Sequence, residues 1–563
     1  MVELSVVIPT YNRAESLRRC LMALGQQTQS AADFEVIVVV DGSSDGTCAM
    51  LERLSTPYQL VIEQQPNQGA AVARNRGAER ASGKYCLFLD DDIVAGPALI
   101  AEHLAGQRRS TTGGGVVALG HLDCRVPRGA DGLARQFAVW WSDHYAGLAN
   151  GRLPTDVDCW SGNMSAPLDA FRAVGGFDPS TGRSHDIELG YRLERHGLRF
   201  VYLANAHGTH DFAKTFRDIL EDAFHAGYTN FQFFQRHRAV LPRLPLAHFA
   251  DARIRFRIAR RVLLGLKPPI GLLGLCSTVL GRGRRANAWY GLLFDYFYWR
   301  GVACAVPDSD TWLRLTMGTA ILMYHAFGGL GEAPGRFVVP ARRFARQMRL
   351  LRIAGYHVMP LEELLAHRRA FRLPPPRSVV ITFDDGYVDA LDHAAPILRR
   401  YGLPATLFVV SGAVGGINDW DSRGELRGRR LLPWPDLLRL GNSGVSLGAH
   451  SRSHASLRGV SKEQLCPEIA GSLAELECQL GKTVRSFAYP FGASTPECWD
   501  AVREAGFWGA CGIEPGLNGP GRSEFDLRRT EIRGTDSLLR FALAVWLGDG
   551  LRGRGAAAPK RGV

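Results

Sequence analysis

The sequence predicts an α/β protein in which a helical connector joins two α/β lobes. Residues 1–235 and 313–548 each alternate short apolar segments with helical ones, as strands joined by helices do. Residues 236–312 lose this alternation and become basic and rich in aromatic side chains. We therefore expect a doubly wound sheet at the N-terminus and a second α/β lobe at the C-terminus.

The N-terminal lobe opens with an apolar strand that ends at a proline. The continuous β-branched run at 34–40 is typical of a parallel strand buried on both faces. The predicted elements in chain order are strand 4–9, helix 15–26, strand 34–40, strand 60–63, helix 70–81, strand 85–89 and strand 199–203.

The connector at 236–312 has two open interpretations. Four arginines recur in it at helical spacing, namely Arg253, Arg257, Arg260 and Arg261, and its apolar run at 270–280 is too short to cross a bilayer. It is either a helical bridge packed on its neighbours or a basic, aromatic surface that rests on anionic lipid. Beyond it we expect strands at 320–324, 379–383, 405–410 and 445–448, a helix at 387–401, and a disordered basic tail at 549–563.

Composition bounds the class of protein. With 563 residues, 46% apolar and 22% charged, the chain is globular, and disorder and coiled coil are excluded as its main architecture. Its 11 scattered cysteines make a poor disulfide framework, and no signal sequence is visible, so we expect a cytoplasmic protein. Most of the net charge of +12 lies in the connector and tail, without a nucleic-acid-reading motif, so we expect no nucleic-acid partner.

Acidic residues follow the predicted strands of the N-terminal lobe. Asp41 follows one strand, and Asp90, Asp91 and Asp92 follow another. Ligands of open α/β sheets bind at the carboxyl ends of strands. Three adjacent carboxylates are costly unless they are solvated or neutralised, and a divalent cation would neutralise them and bridge a diphosphate. A solvated acidic turn is the alternative.

Four segments carry a resemblance to a known family: SVVIPTYNR at 5–13, VDGSSDGT at 40–47, NQGAAVARN at 67–75 and FLDDD at 88–92. Together they resemble family 2 glycosyltransferases of the GT-A fold. The resemblance implies a nucleotide-sugar donor with Mg²⁺ or Mn²⁺ on its diphosphate. It implies donor binding by Pro9, Thr10, Asp41, Arg74 and Asp90, and a metal site framed by Asp90 and Asp92.

A later segment of this lobe, HDIELGYRL at 185–193, resembles the family's Glu-Asp-x-Glu-Leu motif. The resemblance implies that Asp186 is the general base for the acceptor hydroxyl; an exposed helix-start carboxylate is the alternative. His185 stands where the family usually has Glu. The Gln-x-x-Arg-Trp motif of processive synthases is absent, so we expect transfer of one or a few sugars. His207 and His210 either help to bind metal or diphosphate or are hydrogen-bonded loop residues.

The C-terminal lobe carries a second group of metal-ligand residue types. Asp384 and Asp385 end one predicted strand, and His450 and His454 follow another. Two histidines and one carboxylate make the three-ligand set of a catalytic metal with an open position, and the second aspartate supplies a base. The alternative is two loop histidines and a helix cap.

With the segment SFAYPFG at 486–492, this lobe resembles NodB-type polysaccharide deacetylases of carbohydrate esterase family 4, in the permuted subgroup. The resemblance implies a distorted (β/α) barrel in which Asp385, His450 and His454 bind a metal, usually Zn²⁺, and Asp384 is the general base. It further implies that His325 is the acid, with a packed strand-end histidine as the alternative. The Tyr489 N–H would hold the oxyanion, and Arg529 would partner Asp384.

These two resemblances predict a bifunctional enzyme of glycan biosynthesis. One lobe would transfer a sugar, with N-acetylhexosamine expected, to a glycan or lipid-linked acceptor, and the other would remove an N-acetyl group. Two alternatives stay open. In one, a lobe is inactive and binds glycan; in the other, the chain is a membrane-associated assembly protein whose connector carries the main function.

Overall fold

The computed structural model describes residues 2–109, 115–329, 331–421 and 424–548. The chain divides into two compact units, the first formed by Met1–Val240 and Ala259–Ala305 and the second by Leu241–Ile258 and Val306–Val563. The connector predicted at 236–312 is therefore shared between the two units. The predicted disordered tail at 549–563 lies outside the described residues.

The first unit is built on one mixed sheet. Its strands are β1 (Leu4–Thr10), β2 (Phe34–Asp41), β3 (Gln59–Gln65), β4 (Tyr85–Leu89), β5 (Ile93–Ala95), β6 (Val116–Arg125), β7 (Asn163–Pro167) and β8 (Arg199–Asp211). Within the described residues their order is β3-β2-β1-β4-β7-β6-β8-β5. The first four strands in this order run parallel, whereas β7 and β5 pair antiparallel with their neighbours.

Helices cover both faces of this sheet. The helices between residues 14 and 305 are α1 (Ala14–Leu24), α2 (Thr47–Glu52), α3 (Ala70–Arg80), α4 (Leu99–Arg108), α5 (Gly132–Ala149), α6 (Leu168–Ala173), α7 (His185–Arg195), α8 (Phe216–Arg236), α9 (Ile254–Leu266), α10 (Ile270–Leu280) and α11 (Ala286–Ala305). Val6 and Ile8 of β1 belong to one core cluster and Val7 to another. Successive side chains of a strand point to opposite faces, so β1 is buried on both faces, as the doubly wound prediction requires.

The second unit contains a curled sheet. The strands of this unit are β9 (Thr319–Tyr324), β10 (Ala326–Gly328), β11 (Val338–Pro340), β12 (His357–Met359), β13 (Ser378–Phe383), β14 (Ala405–Val409), β15 (Val445–Ala449), β16 (Ser486–Ala488), β17 (Gly509–Cys511), β18 (Leu517–Asn518) and β19 (Thr530–Glu531). Among them, β10 and β11 pair with each other in a separate two-stranded sheet, and the others form the curled sheet. Parallel pairing runs β17-β16-β15-β14-β13-β9, and β12 also pairs with β13.

One short segment joins the two ends of this sheet. Leu527 bridges to Cys511 of β17, and three residues later β19 pairs with β9 at the other end. The segment at 527–531 therefore closes the sheet into a distorted barrel. The helices of this unit beyond α9 are α12 (Ser309–Thr316), α13 (Ala341–Ile353), α14 (Leu361–Arg369), α15 (Ala395–Tyr401), α16 (Trp434–Gly441), α17 (Lys462–Leu480), α18 (Pro496–Glu504) and α19 (Leu538–Leu547).

One prediction about helices needs correction. The helix expected at 387–401 begins only at Ala390, as a π turn that continues into α15. The four connector arginines at helical spacing have different surroundings: Arg253 is exposed, whereas Arg257 and Arg260 are buried and Arg260 donates to Asp295. Among the described residues, none of the helices combines the length and the hydrophobicity that crossing a lipid bilayer requires.

Candidate active sites

The carboxyl ends of β1, β2 and β4 meet at one edge of the first sheet. Pro9 and Thr10 end β1, where Pro9 pairs with Val39 of β2, and the Thr10 hydroxyl donates to Oδ2 of Asp91 at 2.7 Å. Parallel neighbouring strands place their ends side by side whatever their separation along the chain. The structure therefore brings the donor-binding residues predicted on β1 next to the acidic triplet.

Asp41 ends β2 and is buried, with 4% of its surface exposed. Its carboxylate accepts hydrogen bonds at 2.8 Å from Gln65 Nε2, the Gln68 N–H and the Gly69 N–H. Gly69 adopts φ of 92°, which glycine reaches without a Cβ clash. Asp41 thus fixes the loop that leads into α3 at the edge of the predicted nucleoside pocket.

The three aspartates after β4 have different surroundings. Asp90 has 37% of its side chain exposed and pairs with Arg74 at 2.6 Å. Asp91 is buried, which raises its pKa to about 6 even though Arg13 and Thr10 favour the charged form. Asp91 therefore stabilises the turn after β4 through its hydrogen bond with Thr10. Asp90 and Asp92 remain as the two carboxylates of the predicted metal site.

Asp92 lies between the guanidinium of Arg13 and the imidazole of His210. Arg13 Nη1 is 2.6 Å and His210 Nε2 is 3.3 Å from its Oδ2. Burial works against the charged form of Asp92, but His210 and Arg13 outweigh burial and lower its pKa to about 2. An ionised carboxylate with an imidazole beside it is a donor set that divalent metals accept.

The strand predicted at 199–203, just before His207 and His210, is too short. β8 continues to Asp211, so both histidines lie inside the strand and not in a loop after it. His210 faces Asp92, but His207 does not: its Nε2 lies 2.7 Å from Asp123. The two histidines therefore belong to different groups of side chains.

Asp186 and His185 form the first turn of α7. Arg74 Nη1 lies 3.0 Å from His185 Nε2. A guanidinium only donates, so this nitrogen accepts and the proton sits on Nδ1, which faces the Gly182 carbonyl at 2.5 Å. Burial, aided by the charge of Arg74, lowers the pKa of His185. The Asp186 carboxylate is half-buried and accepts from the N–H of Ile187 at 2.9 Å.

The second unit gathers the three ligands predicted for its metal. Oδ1 of Asp385 lies 3.5 Å from His450 Nε2 and 3.2 Å from His454 Nε2, and all three residues are buried. His450 donates from Nδ1 to the Ala488 carbonyl at 2.8 Å, which leaves its Nε2 free to face Asp385. Burial lowers the pKa of His450 to about 4, so its ring is neutral at pH 7.

The surroundings of the Asp385 carboxylate show that this cluster suits a metal ion. Its buried Oδ1 accepts no well-aligned hydrogen bond from the described residues. Burial opposes ionisation, yet the contact with His454 holds the pKa of Asp385 well below its usual range. A buried anionic oxygen between two imidazole nitrogens suits a divalent ion such as Zn²⁺.

Asp384 and Arg529 form a buried pair beside this cluster. Burial raises the pKa of the Asp384 carboxyl, but the guanidinium of Arg529 outweighs burial and holds that pKa below its usual range. His325 is half-buried at the end of β9 and packs edge-on against Phe337, with 4.7 Å between ring centroids. The structure therefore pairs the predicted base with the predicted arginine.

Backbone strain is concentrated at this site. Asp385, Ser451 and His454 have φ between 60° and 72°, in the left-handed region that side chains with a Cβ seldom enter. Such conformations cost about 1–3 kcal/mol each and persist where the surroundings over-determine them. The strain therefore falls on two of the three predicted ligands, Asp385 and His454, and on the residue that follows the third, His450.

The role predicted for Tyr489 is not supported by its geometry. Its N–H donates to the Cys511 carbonyl at 3.0 Å, as part of the pairing between β16 and β17. Its hydroxyl donates to the Phe525 carbonyl at 2.9 Å. An N–H committed to the sheet is not available to an oxyanion, so the predicted oxyanion contact needs correction.

Several site residues were missed by the sequence reasoning. Arg13 lies within the first quoted motif but was given no role, although it bridges Asp91 and Asp92. Trp420 stacks on His454, with centroids 4.6 Å apart, and Phe491 meets the same ring edge-on at 4.7 Å. For Arg13 the signal was a cation near the start of the helix after β1, whereas no local pattern pointed to the two aromatic residues.

Comparisons with known proteins agree with this division. Residues 5–172 match the family model described as glycosyl transferase family 2, and residues 372–510 match the one described as polysaccharide deacetylase. Validoxylamine A glucosyltransferase of Streptomyces hygroscopicus subsp. jinggangensis (strain 5008) is 37% identical over 230 residues, which is 35% of this chain and 52% of that protein. The chain thus spans about half the length of this relative.

Two further matches cover the two parts of the chain. Glycosyltransferase AglE of Haloferax volcanii is 28% identical over 274 residues, 47% of this chain and 82% of that protein. The solved structure of the deacetylase PplD of Streptococcus pyogenes is 23% identical, with a TM-score of 0.36, and covers 41% of this chain and 98% of that one.

Proposed function

We propose that this chain, which carries a family 2 glycosyltransferase domain followed by a polysaccharide deacetylase domain, is a bifunctional enzyme of glycan biosynthesis. One domain would transfer a sugar from a nucleotide donor to a glycan or lipid-linked acceptor. The other would hydrolyse an N-acetyl group from a sugar. The donor sugar we favour is an N-acetylhexosamine, because its transfer supplies the group that the second domain removes.

One observation carries the proposal furthest: the Asp385, His450 and His454 cluster stands beside the buried Asp384–Arg529 pair. Three ligands with an open position and a separate carboxylate base are the parts that amide hydrolysis requires. A structural metal centre closes its coordination with four protein ligands, which this cluster does not supply. The arrangement therefore favours catalysis over a purely structural centre.

In the deacetylase reaction, Asp385, His450 and His454 would hold a divalent metal, which when bound polarises the amide carbonyl and acidifies water. Asp384 takes a proton from the attacking water, because Arg529 keeps its carboxylate ionised. His325 then gives a proton to the departing amine. The aromatic faces of Trp420 and Phe491 line the cluster at His454 and suit the apolar face of a sugar.

In the transfer reaction, Asp90 and Asp92 would hold Mg²⁺ or Mn²⁺, with His210 as a further ligand beside Asp92. The cation supplies charge neutralisation for the departing diphosphate. Asp186 accepts the proton of the acceptor hydroxyl. His185 keeps Arg74 directed at Asp90, which explains how histidine can replace the family's usual glutamate.

The test is a panel of nucleotide sugars incubated with the purified chain and an acceptor, with and without chelator. The proposal expects release of nucleotide diphosphate, and acetate release that depends on prior transfer when an N-acetylhexosamine donor is used. Rapid deacetylation of the free nucleotide sugar would contradict that order. Acetate release without nucleotide release would favour the alternative in which one domain is inactive and binds glycan.

We also propose peripheral contact with an anionic membrane surface. Large apolar side chains of α9 and α10 are exposed to water, with Leu266 at 73%, Leu275 at 67% and Val279 at 74%. On the same unit Lys267, Arg282, Arg284 and Arg285 are exposed as well. An apolar face rimmed by cations is complementary to anionic lipid, to which each nearby cation adds about 1 kcal/mol.

A further inference from the structure

A second group of metal-ligand residue types lies in the first unit, on side chains that the proposed reactions do not use. His121 and Asp123 lie on β6, and His207 lies on the neighbouring strand β8. One potential ligand atom from each residue falls within 4.8 Å of the others. Among the described residues, this group and the Asp385 cluster are the two sets of three such residues with that spacing.

The group has the same donor types as the deacetylase cluster. Asp123 lies 3.2 Å from His121 Nε2 through Oδ1 and 2.7 Å from His207 Nε2 through Oδ2. In the Asp385 cluster the corresponding distances are 3.5 and 3.2 Å. Ligand atoms around a tetrahedral ion with bonds of about 2.0–2.2 Å are about 3.3–3.6 Å apart. Small shifts would therefore seat an ion among the three side chains.

Contacts with neighbouring side chains hold the imidazole rings of His121 and His207 in position to bind an ion. The Tyr202 hydroxyl lies 2.6 Å from His121 Nδ1, so the other nitrogen, Nε2, faces Asp123. The rings of His121 and His207 stack 5.3 Å apart with 15° between their planes. A polar partner on the second nitrogen of a histidine is the usual support of a metal ligand.

A bulge brings the two histidines together. Gly120 pairs with Leu203 of β8, but the next residue, His121, pairs with His207. Three residues of β8 therefore loop out between these pairs, and without them His121 would lie beside residue 204. Bulges that re-aim side chains are common next to functional sites.

We propose that His121, Asp123 and His207 bind a divalent transition-metal ion, Zn²⁺ in the first instance, with a fourth position open to water or an anionic ligand. Two imidazole nitrogens and one carboxylate oxygen suit Zn²⁺ better than Mg²⁺ or Ca²⁺, which prefer oxygen ligands. The ion clips β6 to β8 across the bulge. His207 lies three residues before His210 on β8, and His210 contacts Asp92. The ion would therefore brace the strand that positions His210.

The experiment counts Zn²⁺ bound to the full chain in excess Mg²⁺, by competition with a chromophoric chelator. The deacetylase cluster is first disabled by His450→Ala with His454→Ala. We expect this protein to bind one Zn²⁺ per chain, and the further change His207→Gln or Asp123→Asn to weaken that binding at least tenfold. His196→Ala, an exposed histidine on the same unit, is the matched control and should change nothing.

Cu²⁺ provides an independent readout, because its electron paramagnetic resonance spectrum should show coupling to two imidazole nitrogens that falls to one in His207→Gln. The proposal is overturned if the disabled protein binds no Zn²⁺. It is equally overturned if Zn²⁺ binding survives His207→Gln but is lost with Asp92→Asn. Circular dichroism of each variant without metal separates loss of ligands from loss of fold.

Discussion

Arg529 holds both carboxylate oxygens of Asp384, with Nη1 at 2.5 Å from Oδ1 and Nη2 at 2.9 Å from Oδ2. The arginine has no exposed surface and the aspartate has 3%. A bidentate pair of this kind fixes the plane of the carboxylate as well as its charge. The base proposed for amide hydrolysis is therefore oriented by a residue 145 positions away in the sequence.

Replacing Arg529 with Met should remove the cationic partner of the Asp384 carboxylate. Asp384 would remain buried without its cation, which costs about 3–5 kcal/mol of folding stability. Because Arg529 holds the pKa of Asp384 below its usual range, the pair stabilises the protein at neutral pH, and this contribution is lost as pH falls through the lowered pKa. In Arg529→Met burial raises that pKa, so the acidic limb of the acetate-release profile should move to higher pH.

The control for this change is Arg528→Met, one residue earlier, where the side chain faces Glu514. It should leave the pH profile of acetate release in place. An unchanged profile in Arg529→Met, measured on protein shown to be folded, would remove Arg529 from its role as the positioning residue of Asp384.

Replacing His454 with Ala should separate the two activities. It removes one of three ligands, and even outer-shell changes at metal sites cost about 10–100-fold, so acetate release should fall by more than about 100-fold. Nucleotide release should stay at the level of the unaltered chain. His357→Ala, an exposed histidine of the same unit, is the control. Equal loss of both activities would indicate general unfolding.

Replacing Asp92 with Ala should have the reciprocal effect. Loss of a charge that stabilises a leaving group costs about 10²–10³ in rate, so nucleotide release should fall by that factor. Acetate release from an oligosaccharide that is already N-acetylated should not change. The exposed Asp169→Ala serves as the control. Full transfer activity in Asp92→Ala would exclude this carboxylate as a metal ligand.

Substitutions of His185, which stands where the family usually has Glu, test whether its contact with Arg74 matters for transfer. His185→Glu should keep nucleotide release within about tenfold, because a carboxylate can accept from Arg74 as the imidazole nitrogen does. His185→Ala leaves the buried Arg74 without this partner and should lower the rate further. If alanine and glutamate behave alike in steady-state kinetics, the contact with Arg74 does not matter for transfer.

If the exposed apolar side chains of α10 contact lipid, negative charges introduced among them should weaken membrane binding. Leu275→Glu with Val279→Glu should abolish sedimentation with vesicles that contain anionic lipid and leave turnover of soluble substrates intact. Leu153→Glu is a matched control, since Leu153 is 81% exposed elsewhere on the first unit. Binding to vesicles that is unaffected by the double change, or by salt, would contradict the proposal.

Residue type and order alone predicted much of this protein. The β-branched run at 34–40 and the aspartates after β4 specified buried parallel strands with polar ends, because strand ends converge in such sheets. The same logic predicted that Asp385, His450 and His454 lie close together, and the structure brings them within reach of one ion. Local periodicity failed at His210, where β8 continues further than its apolar residues indicate.

Tertiary structure decided which side chains meet. The sequence specified α/β units and the residue types at their strand ends, since hydrophobic periodicity and turn residues act over short distances. It did not specify that Arg13 would bridge Asp91 and Asp92, nor that the connector arginines at helical spacing would include the buried Arg260. Ion pairs and burial depend on how distant segments pack, which no local pattern encodes.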